Sequence, residues 1–286
     1  MTKIEFVQLA KKRGIPIFSE IEFAFRFTKK PIIAMVHLGA LPGSPLYDKQ
    51  SGITGLIKEA QKDLEALQTA KFDAIMFGNE NDRPYQLSVD TASTAAAAYI
   101  IGELKREIKI PFGVDMLWDP MATIALGTAT KAQFVREIFT GTYSSDMGIW
   151  APDAGEALRY MRNLGSEEML LLFNISAEFA SSQDSRSLPD RARSAVFSSL
   201  PDAILVSGQI TGEAASMNDL SSVKKVLPST PVLANTGVKH DTVTEVLANA
   251  DGCIVGSSLK EDGDTWKPVN PKRAIEFMNI VNKFRS

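Results

Sequence analysis

The chain has 286 residues, is 44% hydrophobic and 23% charged, and carries a net charge of −3 with a single cysteine. Such a composition forms a core that stands without disulfides, and with no basic stripe it speaks against a nucleic-acid partner. No apolar run approaches the roughly 18 residues of a membrane-spanning helix, and the first thirty residues are charged throughout with no leader pattern, so the expectation is a cytoplasmic protein without membrane insertion.

Residues 1–30 contain the apolar stretch IFSEIEFAFRF. It reads as a helical extension that packs on the main body or against another subunit, and it makes a homo-oligomer the expected assembly. From residue 31 onward, short β-branched runs alternate with longer amphipathic ones. The apolar runs are 31–38, 73–80, 112–117, 134–139, 169–175, 202–208, 231–237 and 252–258. They are nearly continuous in hydrophobicity, as strands buried on both faces are. Helical segments follow them near 54–70, 88–109, 119–129, 153–164, 187–199, 217–227, 241–248 and 271–284. Ile57, Ala60, Leu64 and Leu67 share one helical face in the first, and Ala274, Phe277, Met278 and Val281 face inward in the last. Cys253 lies inside the final apolar run and reads as a buried structural thiol.

Parallel strands need such crossovers, and eight strand–helix units predict a closed (β/α)8 TIM barrel over residues 31–286 rather than an open sheet. VHLGALPGSP, after the first run, is not a dinucleotide fingerprint, and GxxxxGK[ST] is absent. Two strand-to-helix connections are long, 39–53 and 140–152. They serve either as lids and binding loops or as shields for the core end.

The seventh and eighth strands end in glycine turns. Thr236-Gly237-Val238 and Gly256-Ser257-Ser258 occupy the place where many barrels hold a phosphate. Glycine lets backbone amides approach an anion, and successive N–H groups converge on one concavity. The pair is read as a phosphate cradle, with Lys260 two residues beyond. The other strand ends supply His37, Asn79, Glu80, Asn174, Ser207 and Asn235, and Asp115 lies in the third strand. Glu80, His37, Asp115, Asn174 and Asn235 are the candidate catalytic groups. Asn79, Ser207 and Lys260, with Tyr143 and Asp146 of the long loop, are candidates for holding or covering a substrate. Asp115 has a second reading, a buried ion pair with Arg136; Asp119 before Pro120 reads equally as a helix cap; His240 reads as a surface residue. Acid/base chemistry on a small polar molecule fits this set, as does a carboxylate-bound Mg2+, although no cofactor is demanded.

MVHLGALPGSP, DAIMFGNE, ILVSGQITG, LANTGV and DGCIVGSSLK resemble the BtpA family, from about residue 31 to the C-terminus. PFGVDMLWDP, REIFTGTYSSDMGIW, LFNI and VLANTGV are closer to its SgcQ-like branch. The resemblance implies a TIM barrel. It also implies kinship with one lineage linked to photosystem I biogenesis and another associated with sugar uptake and sugar-phosphate conversion. DMLWDP and NISAEFA depart from the photosynthetic pattern. The expected function is therefore a lyase, isomerase or epimerase acting on a phosphorylated sugar or related metabolite. A non-catalytic assembly factor and a phosphate-binding regulator are the alternatives.

Overall fold

The computed structural model describes residues 29–286, so all but the end of the expected N-terminal extension lies outside the described residues. Eight parallel strands close into one barrel: β1 (Ile32–His37), β2 (Ala74–Gly78), β3 (Phe112–Asp115), β4 (Phe134–Glu137), β7 (Leu170–Asn174), β9 (Ala203–Val206), β10 (Val232–Ala234) and β11 (Gly252–Val255). The circle closes where Ile33 of β1 pairs with Ile254 of β11. Helices α1 (Gly52–Thr69), α2 (Thr91–Leu104), α3 (Pro120–Thr130), α4 (Ala154–Asn163), α5 (Leu188–Ser199), α6 (Met217–Val226), α7 (Val243–Asn249) and α8 (Pro271–Arg285) follow the barrel strands in turn.

The helix starts are written locally. Asp119 caps α3, its carboxylate accepting from the amides of Met121 and Ala122 at 2.9 and 3.1 Å, with Pro120 in the first turn. Ser187, Ser216 and Asn270 cap α5, α6 and α8 in the same way. Each such cap contributes about 1 kcal/mol. Ala274, Phe277, Met278 and Val281 of α8 are all buried, as the helical spacing predicts. Cys253 is buried and its thiol is pushed up to about 12 by burial.

The two-residue period of a strand sorts the barrel. Alternate residues, among them Ile33, Met35, Met76, Phe134, Leu172, Leu205, Leu233 and Ile254, form the apolar filling of the interior. One step of two further along the strands stand His37, Asp115, Arg136, Asn174, Ser207, Asn235 and Gly256. The mouth is thus a ring of polar side chains and one glycine, resting on a packed floor.

The connection 140–152 is more ordered than a loop. It forms β5 (Tyr143–Ser145) and β6 (Gly148–Trp150), and β8 (Ala180–Ser182) from the next connection completes a small antiparallel sheet. Trp150 of this sheet packs on Trp118, the rings 5.4 Å apart, and Tyr143 packs on Trp150, in an apolar cluster separate from the barrel core. Among the described residues no helix is long and apolar enough to cross a membrane.

Candidate functional site

A cavity of about 1050 Å³ opens at the C-terminal ends of the strands. Both glycine turns line it: Thr236, Gly237 and Val238 after β10, and Gly256, Ser257 and Ser258 after β11. The amides of Gly237, Val238, Gly256 and Ser257 donate to no other described residue. Gly237 has φ +65°, and a β-carbon there would lie 2.1 Å from the amide nitrogen of Ala214. The connection after β9 presses against this turn, so only glycine fits. A β-carbon on Gly256 would meet the His37 ring at 3.1 Å. Arg273 of α8 also lines the cavity; its Nε donates to the Ser258 carbonyl at 2.9 Å, which fixes the guanidinium beside the second turn. His240, expected at the surface, lines the cavity too. Its ring bridges Ser258 Oγ at 3.0 Å and the Arg273 carbonyl at 2.8 Å.

The inner wall carries the titratable groups. Glu178 is buried, and its two oxygens are held from three strands. Oε1 accepts from Ser207 at 3.0 Å and from Asn235 Nδ2 at 3.2 Å; Oε2 accepts from Asn174 Nδ2 at 2.9 Å. Burial weakens it as an acid against the pull of Arg136 and pushes its pKa up to about 7. Glu80 accepts from Thr211 at 2.8 Å and is likewise raised by burial, with Arg136 opposing. Arg136 stands between these groups, with Nη2 2.5 Å from Asp115 Oδ2 and Nη1 donating to Asn235 Oδ1 at 3.2 Å. Burial and the neighbouring Asp115 push Glu137 well above the ordinary carboxyl range. His37 is pushed well below its usual value by burial and by the charges of Lys260 and Arg136, against a raising hydrogen bond from its ring to the Thr265 backbone carbonyl. At neutral pH it is an uncharged imidazole, able to accept or pass a proton but carrying no charge of its own.

The cavity therefore brings together Glu80, His37, Asn235, Thr236, Gly237, Gly256, Ser257 and Ser258. Asn174, Ser207 and Asp115 stand behind its wall, as partners of Glu178 and Arg136. Four expected substrate contacts are placed elsewhere. Lys260 is buried in an ion pair with Asp63 of α1 at 2.8 Å, because the turn Ser257–Leu259 swings it to the outside of the barrel. Asn79, one residue out of phase with Glu80, faces away and accepts from the Leu117 amide at 2.7 Å. Tyr143 donates to the Thr140 carbonyl at 3.2 Å within the small sheet, and Asp146 is an exposed residue of its turn. Glu178, Arg136, Trp118, Thr211 and Arg273 also line the cavity without having been singled out as candidates, and Glu213, Lys239, Asp241, Asp262 and Glu276 place further charges along it. Arg136 was detectable by its two-residue phase with Phe134; Glu178 follows strand β7 in an irregular connection where no period applies. Among the described residues no group of three or more His, Cys, Asp or Glu side chains is arranged to hold a metal ion.

A model described as the BtpA family matches residues 28–283. The putative sgc region protein SgcQ of Escherichia coli is 45% identical over 258 residues, covering 90% of this chain and 96% of that protein. The photosystem I biogenesis protein BtpA of Synechocystis is 29% identical, covering 89% and 88%. Among solved structures, phosphoribosyl anthranilate isomerase from Thermus thermophilus aligns with a TM-score of 0.56 at 12% identity, over 89% of this chain and all of that one. Tryptophan synthase from M. tuberculosis aligns with a TM-score of 0.58 at 15% identity, over 94% of this chain and all of that one. At these identities the structural likenesses establish the TIM-barrel fold alone.

Proposed function

The chain belongs to the BtpA family, and from that premise we propose that it is an enzyme moving a proton on a small phosphorylated metabolite, a sugar phosphate or close relative. The observation that carries this reading is the polarity of one cavity. Its outer side presents unpaired amides from two glycine turns, with the Arg273 guanidinium alongside. Its inner side holds Glu178, titrating at about 7, with Glu80 and a neutral His37 nearby. Backbone amides and a guanidinium suit a phosphate dianion. A carboxyl that titrates near neutrality both gives and takes a proton, which lyase, isomerase and epimerase chemistry requires. In this reading Glu178 is the principal acid/base group, Glu80 or His37 its partner, and Asn235 orients both Glu178 and Arg136.

The alternative, a non-catalytic assembly factor, agrees with the name of the Synechocystis relative. It gives no account of a desolvated carboxyl set in the wall of an open cavity. A regulator would need the glycine turns but not the environment of Glu178.

The test is a panel of sugar phosphates read by thermal shift and by deuterium uptake into carbon-bound positions in heavy water. A true ligand at a hundredfold its Kd stabilises the fold by about 2.7 kcal/mol. Gly256→Val, which sets a side chain against His37 and the turn, abolishes the shift. Glu178→Gln keeps the shift and abolishes deuterium uptake. A panel that shifts nothing in the wild-type protein refutes the reading.

A further inference from the structure

We infer that Arg136 and the Trp118 indole form a second anion subsite on the inner wall of the cavity, shaped for a planar oxyanion such as a carboxylate. This rests on the proposed function only in placing a phosphate at the glycine turns; the inner subsite stands on its own residues. Both side chains line the cavity, and both are at least nine-tenths buried, at 5% and 2% exposure. The guanidinium carbon lies 5.9 Å from the centre of the Trp118 ring. Trp118 is packed among Tyr85, Trp150 and Phe179, with its Nε1–H buried and without an acceptor among the described residues. A buried donor left unpaired is costly, and a ligand oxygen would remove that cost. Arg136 has five N–H donors in a planar fork, and its two protein contacts, to Asp115 and Asn235, leave others for a ligand.

The charge balance permits an anion here. Asp115 is paired with Arg136 at 2.5 Å, and burial pushes the adjoining Glu137 well above the ordinary carboxyl range, so the cluster carries less negative charge than its formal count. Around that core stand Glu80, Glu178, Tyr85 and His37; burial raises the three acids and lowers the imidazole, which in each case favours the uncharged form. An incoming carboxylate repels the charged form of Glu178, so binding draws a proton onto it and is tighter on the acid side of neutrality. The ligand class that follows is a small molecule with a phosphate at one end and a carboxylate, or an enolate oxygen of similar charge, at the other.

The experiment uses glycolate and inorganic phosphate as separate probes on the full chain, followed by the indole 15N–1H resonances of the three tryptophans. Trp118→Phe identifies the Trp118 signal by its loss. Glycolate is expected to move that signal downfield in a saturable way, with or without phosphate present, and to bind more tightly at pH 6 than at pH 8. Trp118→Phe weakens glycolate by about fivefold to tenfold, the value of one hydrogen bond, and leaves phosphate affinity unchanged. Ser257→Asp does the reverse, weakening phosphate only. If glycolate leaves the Trp118 resonance unmoved while phosphate binds, the inner subsite is refuted and the glycine-turn reading survives. If glycolate binds as described and phosphate does not, the proposed function fails and the inner subsite stands.

Discussion

Arg136 of β4 and Asp115 of β3 meet across adjacent strands, Nη2 to Oδ2 at 2.5 Å, with both side chains turned into the barrel and almost wholly withdrawn from water. A pair in that position is unequal in its two halves. Asp115 has little beyond Arg136 to stabilise its charge, and Glu137 adjoins it. Arg136 is also faced by Glu178, Glu137 and Glu80. Removing the cation strands a buried carboxylate, whereas removing Asp115 leaves the cation with other acids. Arg136→Met is therefore expected to cost about 3–5 kcal/mol and Asp115→Asn distinctly less. Urea unfolding at pH 7 measures both, and the reverse ranking would contradict the account.

Glu178 gives the fold a pH dependence of defined sign. Its ordinary value of 4.5 applies to the unfolded chain and about 7 to the folded one. Between those limits the native state binds a proton that the unfolded state has released. Stability from this group is therefore fully present below about 4.5 and is lost as pH rises to about 7, a change of roughly 3 kcal/mol. The buried Glu80, Asp115 and Glu137, all raised by burial, tilt the curve the same way. In Glu178→Gln the decline between pH 5 and 7 becomes shallower by about 2 kcal/mol, the share of the change that falls in that window. Unfolding free energies at half-unit pH intervals for the two proteins decide it; parallel curves would mean that Glu178 is not the titrating group.

The architecture was legible because β-branched runs and capped amphipathic segments repeat without interruption, and the glycine turns because their chemistry is local. Much of the site's wall was legible in principle through phase. Glu80 is two residues beyond Gly78 and turns inward; Asn79 is one residue beyond and turns outward. Arg136 follows Phe134 inward by the same rule. Phase fails where the strand ends. Glu178 lies four residues past Asn174 in a connection whose next residue, Phe179, has φ +57°. Nothing in the spacing predicts that its carboxylate returns beneath Asn235. Lys260 failed for a related reason. Lys260 is four residues beyond Gly256 and would be inward in a continuing strand, but a short 3-10 turn intervenes.

Lys260 therefore carries a prediction of its own. Its Nζ holds Asp63 Oδ2, while Asp63 Oδ1 accepts from the Val269 amide at 2.8 Å, so one carboxylate ties α1 to the segment leading into α8. Lys260→Met leaves that carboxylate buried with a single amide donor and is expected to destabilise by about 3–5 kcal/mol. The double variant Lys260→Met with Asp63→Asn, an amide that can still accept from Val269, recovers much of the loss. Melting curves test the stability, and the response to phosphate tests the placement. The melting shift produced by phosphate should persist in the double variant. Its disappearance would return Lys260 to the ligand.

Inside the barrel, Gly113 and Phe134 are packed as one unit. A β-carbon on Gly113 would lie 2.2–2.7 Å from three atoms of the Phe134 ring, which is fully buried in the interior filling. The ring occupies the volume that a side chain on β3 would take, and it forms part of the floor beneath Arg136 and Asp115. Gly113→Ala alone forces the ring off its rotamer and is expected to cost about 1–3 kcal/mol or more. Phe134→Ala alone opens a void and costs about 3–5 kcal/mol. Combined with Gly113→Ala, Phe134→Leu frees the space that the new methyl needs, so the double variant loses less than the sum of its two single variants by at least about 1 kcal/mol. Additive losses across that cycle would show that the ring and the glycine do not share one space.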